Sequence, residues 1–101
     1  MIIQPRKPQE KSKAARICIV DDNQMAREVF SDQLSLEAYE IVSAKSGLEL
    51  LEKFDWLNPD VILMDVMMPK MSGYDVCQEI KKNPAKQHIP IILVTALNGR
   101  E

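Results

Sequence analysis

Arg16-Ile17-Cys18-Ile19-Val20-Asp21-Asp22-Asn23, an apolar run that ends in two carboxylates, decides the fold of this 101-residue chain. Its apolar residues stand at successive rather than alternate positions and three of them are β-branched, which predicts a short strand buried on both faces. A second run, Val61-Ile62-Leu63-Met64, ends in Asp65 in the same way. Parallel strands in an α/β sheet bring their carboxyl ends to one edge, so Asp21, Asp22 and Asp65 are expected to meet there. Three crowded carboxylates raise one another's pKa unless a cation lies between them. The pattern therefore predicts an oxygen site for a hard divalent ion, Mg²⁺, and with it phosphate chemistry.

Between and beyond these runs the hydrophobic period alternates. From Gln24 to about Ser35, Met25 pairs with Val29, and Ala26, Phe30 and Leu34 form a row, which predicts an amphipathic helix. Tyr39 to Ala44 reads as a strand. Ser46 and Glu49 have the spacing of a capping box, opening a helix lined by Leu48, Leu50, Leu51, Phe54 and Leu57 that Asn58-Pro59 breaks. Ser72 with Asp75 caps a further helix carrying Val76, Cys77 and Ile80, which Asn83-Pro84 ends. Ile89 to Val94 is a last apolar strand with Pro90 near its start, and it leads to Thr95. The order β-α-β-α-β-α-β with right-handed crossovers predicts a doubly wound parallel sheet.

Composition narrows the function classes. A chain of this length with 46% hydrophobic residues supports one core. No apolar run approaches the length of a membrane span, and charges with Pro5 and Pro8 interrupt the N-terminus, so a cytoplasmic protein without membrane insertion is expected. The net charge of −2 hides an asymmetry: residues 1–16 carry a net +4 and the remainder a net −6. Residues 1–15, basic and nearly free of apolar pattern, read as a flexible leader before a folded unit of residues 16–101. Direct nucleic-acid binding is not expected, because no aromatic residue interleaves the basic ones. Cys18 and Cys77 read as reduced core thiols, Trp56 and Tyr74 as packing residues, and His88 as a lone, solvated loop histidine.

Four strings stand in order at matching spacing: Ile19-Val20-Asp21-Asp22-Asn23, Val61 to Pro69, Ser72-Gly73-Tyr74 and Val94-Thr95-Ala96. Together they resemble the receiver domain of two-component response regulators. The resemblance implies a flavodoxin-like sheet, here in the order 2-1-3-4. By position it implies Asp65 as phosphoacceptor, taking a phosphoryl group from a histidine kinase or phosphotransfer protein by self-phosphorylation rather than turnover. It implies Mg²⁺ held by Asp22 directly, by Asp21 mainly through a water, by Asp65, and by the backbone carbonyl of Met67. Thr95 resembles the switch hydroxyl, with Ala96 leaving access beside it.

The family pattern continues past the fourth strand into a fourth helix, a fifth strand ending in a lysine, and a fifth helix. The sequence stops at Glu101, so an incomplete receiver is the expectation. None of Lys45, Lys53, Lys70, Lys81, Lys82 or Lys86 stands at the position of that lysine. An uncovered strand at 89–95 is expected to need a homo-oligomer or a partner protein along its edge. The rival reading is a non-phosphorylated module that binds or titrates a partner through that edge; a small Mg²⁺-dependent phosphatase is a weaker third.

Overall fold

The structure, a computed structural model, describes residues 14–95. Four strands, β1 (Arg16–Val20), β2 (Glu40–Ala44), β3 (Val61–Asp65) and β4 (Ile91–Val94), form one parallel sheet in the order β2-β1-β3-β4. The helices are α1 (Gln24–Ser35), α2 (Gly47–Glu52), α3 (Phe54–Leu57) and α4 (Gly73–Lys81). The element pattern predicts this doubly wound sheet, and the resemblance implies its flavodoxin-like strand order. The expected leader falls mostly on residues 1–13 and the segment after Thr95 on residues 96–101; both lie outside the described residues.

Strand alternation divides the apolar residues between two layers. Cys18, Val20, Ala44, Ile62 and Met64 face a core completed by Leu50, Phe54, Leu57, Val76 and Ile80, all buried. Gly47 belongs to this contact, since a Cβ there would collide with the Val76 side chain. On the other face Ile19 is buried and shares a recess with Phe30 and Leu63, yet α1 itself has no fully buried residue. Ile92, the register partner of Leu63, is 54% exposed and Leu63 itself is only half-buried, so β3 is fully buried on one face rather than on both as expected.

Several boundaries differ from expectation for local reasons. β4 begins at Ile91 rather than Ile89, because Ile89 donates its amide to the Lys86 carbonyl in a turn and Pro90 has no N–H to give. Pro90 still accepts a hydrogen bond from Ile62. β2 begins at Glu40, whose amide donates to the Ala15 carbonyl, and leaves Tyr39 outside. The helix expected after Ser46 is cut in two at Lys53, which leaves helical backbone at φ −106° and ψ 16°. The Lys53 amide closes α2 on the Glu49 carbonyl and its carbonyl accepts the Leu57 amide at the start of α3, and Leu50, Phe54 and Leu57 all reach the core. Asn58 closes α3 in the left-handed region at φ 46°, where its short polar side chain is tolerated.

The Ser72 capping box is present in full: Ser72 Oγ accepts the Asp75 amide at 3.1 Å, and Asp75 accepts the Ser72 amide at 3.2 Å. At Ser46 only half of the expected box forms. Its hydroxyl accepts the Glu49 amide at 3.0 Å, while the Glu49 carboxylate reaches one residue further back, to the Lys45 amide at 2.7 Å. That bond first, and Lys53 second, lower the Glu49 pKa. Trp56 and Tyr74, expected to pack, are 78% and 60% exposed, because the faces of α3 and α4 that meet the sheet are already filled by Phe54, Leu57, Val76 and Ile80. Cys18 is buried, its thiol pushed up to about 12 by burial and then by Glu49, whereas Cys77 is half-buried.

Candidate metal centre

Because β1 and β3 are neighbours with Val20 opposite Met64, the residues that follow them share one edge of the sheet. Asp21, Asp22 and Asp65 each bring a carboxylate oxygen there, all within 4.8 Å of one another. Asp21 and Asp65 are half-buried and Asp22 is exposed. A set of three carboxylates is the donor chemistry that Mg²⁺ takes, with room on the exposed side for waters. The residues present therefore fit that ion.

The β1–α1 turn is held chiefly through Asp21. Its amide donates to the Ala44 carbonyl at 3.2 Å, its Oδ1 accepts the Asn23 amide at 2.9 Å, and its carbonyl accepts Nη1 of Arg27 at 2.7 Å. Asn23 in turn caps α1, its side-chain oxygen accepting the Ala26 amide at 2.9 Å. Burial raises the Asp21 pKa, and the charges of Asp65 and Asp22 raise it further; the Asn23 amide and Arg27 oppose the rise. Apolar Ile19, Phe30, Leu63, Met64 and Val94 line the recess beneath the carboxylates and supply that desolvation.

Asp65 is fixed from the other side. Its Oδ1 accepts the Met67 amide at 3.2 Å, and the amide of Val66 donates to Val94 across the edge. Gly73 at the start of α4 donates to the Val66 carbonyl at 2.9 Å. Met67 itself is exposed, and Thr95, also exposed, follows Val94, the register partner of Asp65. The structure thus brings the three carboxylates together and puts Met67 and Thr95 at the same edge.

Several described lysines are engaged elsewhere: Lys53 with Glu49, Lys82 with Glu79, Lys86 with Asp55 and the Phe54 ring, and Lys81 with the carbonyls of Gln87 and Ile89. Among the described residues, the cation bonded to the acidic turn is Arg27, which sequence reasoning missed. Its only signal there is a polar position one turn into an amphipathic helix, which is ordinary for a solvated face. His88 is exposed in its loop, as expected.

A family model described as the response regulator receiver domain matches residues 17–101. Response regulator PleD of Caulobacter vibrioides is 42% identical over 87 residues, which is 86% of this chain and 19% of that protein. Probable transcriptional regulator ycf27 of Guillardia theta is 44% identical over 82 residues, 81% of this chain and 31% of that protein. The chain therefore spans about a fifth to a third of the length of these relatives. Among solved structures, the N-terminal domain of a response regulator receiver protein from Methanoculleus marisnigri JR1 superposes with a TM-score of 0.78 at 38% identity, covering 81% of this chain and 67% of that one. Response regulator TrrA of Thermotoga maritima, solved in complex with Mg²⁺-BeF, gives 0.75 at 42% identity, covering 83% and 71%.

Proposed function

The chain belongs to the family of response regulator receiver domains, and from that premise we propose that it accepts a phosphoryl group on Asp65 from a phosphohistidine of a histidine kinase or phosphotransfer protein. The observation that carries this reading is the gathering of Asp21, Asp22 and Asp65 within 4.8 Å at the carboxyl edge of the sheet. An Asp65 Oδ attacks phosphorus in line, a P–O bond forms as the P–N bond breaks, and the histidine nitrogen leaves with the electron pair and takes up a proton. Bound Mg²⁺ offsets the repulsion between the carboxylate and the anionic phosphoryl group. Asp22 and Asp65 would hold the ion directly, Asp21 through a water, and Met67 through its backbone carbonyl. Thr95 would donate its hydroxyl to a phosphoryl oxygen and so draw in the chain that follows β4.

Receiver domains are phosphoacceptor signalling modules rather than turnover enzymes, and the acyl phosphate is the signal. No helix among the described residues is long and apolar enough to cross a membrane. The test is incubation with Mg²⁺ and a small phosphodonor such as acetyl phosphate. Acid-labile, hydroxylamine-sensitive labelling is expected, lost on chelation and lost in Asp65→Asn. Persistence of the same label in Asp65→Asn would remove Asp65 as the acceptor. Absence of any label in the parent chain would favour the rival reading of a module that only binds a partner.

A further inference from the structure

The geometry points to Arg27 as the positioning residue that holds the β1–α1 turn in its metal-binding conformation. Asp21 and Asp22 sit on a turn between the last buried residue of β1 and the first turn of α1, and Asp22 is exposed. The placement of Asp22 therefore depends on its neighbour. The Asp21 carbonyl, which is the carbonyl of the peptide joining the two aspartates, accepts Nη1 of Arg27 at 2.7 Å. This is a charge-assisted bond of the stronger kind. The same Arg27 is tied back through its amide to the Asn23 carbonyl at 3.1 Å, so side chain and backbone of one residue close both ends of the turn. The inference rests on the reading of the three carboxylates as the Mg²⁺ site.

Two effects of Arg27 on a bound dication have opposite signs. Its charge beside the carboxylates repels the ion, so removing the charge alone would tighten Mg²⁺. Its bond orients the peptide that carries the ligands, so removing the bond weakens Mg²⁺, as loss of the partners that orient metal ligands generally does. The short bond and the otherwise exposed turn make orientation the larger effect.

The experiment uses the whole chain in three forms: parent, Arg27→Ala and Arg27→Lys. Mg²⁺ is titrated by isothermal calorimetry, and amide exchange at Asn23 is followed by NMR without metal. In Arg27→Ala, Mg²⁺ is expected to bind about tenfold more weakly. The Asn23 amide, which donates to Asp21 Oδ1, should exchange faster while the thermal midpoint stays near that of the parent. Arg27→Lys, which keeps the charge and a donor, should restore most of both losses. Unchanged or tighter Mg²⁺ binding in Arg27→Ala overturns the inference, as does unaltered exchange at Asn23. If the parent itself fails to bind Mg²⁺, the metal reading falls, and the exchange measurement still decides whether Arg27 holds the turn.

Discussion

Gly73 stands against the backbone of Asp65: a Cβ on residue 73 would lie 2.5 Å from the Asp65 carbonyl oxygen and 3.0 Å from Cα of Val66. Helix α4 is thereby docked onto the peptide that carries the proposed acceptor. Both neighbours are backbone atoms, so neither can rotate away. Gly73→Ala is expected to destabilise the fold by about 1–3 kcal/mol, the usual cost of overpacking. Urea unfolding measures it, and a loss under half a kilocalorie would mean that α4 shifts at little cost.

Asp22 should be separable from the fold. It is exposed and stands in none of the turn's hydrogen bonds described above, so Asp22→Ala should leave the urea midpoint nearly unchanged and weaken Mg²⁺ by at least tenfold, since a direct carboxylate ligand disappears. Calorimetric titration of both forms is the check. Equal affinities would remove Asp22 from the metal site.

Asp21 gives a pH-dependent signature. Its folded-state pKa is raised, chiefly by burial and then by Asp65 and Asp22. The folded state therefore binds this proton more tightly than the unfolded chain does. The contribution to stability is fully present below the unfolded value and is lost as pH rises through the raised folded value. Without metal, Asp21→Asn, which can still accept the Asn23 amide, should melt a few degrees higher than the parent at neutral pH, with the difference vanishing in acid. Added Mg²⁺ should stabilise the parent more than the variant. Thermal melts across pH, with and without the ion, test both statements.

Along β4 the described residues offer an open hydrogen-bonding edge and a half-exposed Ile92. An open edge beside apolar surface favours pairing with another chain. The 101-residue polypeptide should therefore self-associate at micromolar concentration, and Ile92→Lys should shift it towards monomer. Sedimentation velocity over a dilution series decides; a parent that stays a compact monomer throughout would end this expectation.

Much of the architecture was legible because it depends on local pattern. Consecutive apolar residues in 17–20 and 61–64 signalled the two strands, although only β1 is buried on both sides, and Ser72 with Asp75 signalled the start of α4 through a bond pattern internal to four residues. The break at Lys53 was not legible, since both halves of that helix keep one apolar face. Neither was the exposure of Trp56 and Tyr74, because an aromatic residue packs only where the facing layer leaves space for it.

The sequence alone determined the alternation of elements, the carboxylates at strand ends and the family pattern, since each is written in neighbouring residues. Only the tertiary structure decided that Asp21, Asp22 and Asp65 share a site within 4.8 Å, that Arg27 bonds the Asp21 carbonyl, and that Gly73 abuts Asp65. The physical reason is that strand adjacency and helix docking are set by side-chain packing between residues distant in the chain. A hydrogen bond to a backbone carbonyl leaves no mark on the residue that carries it.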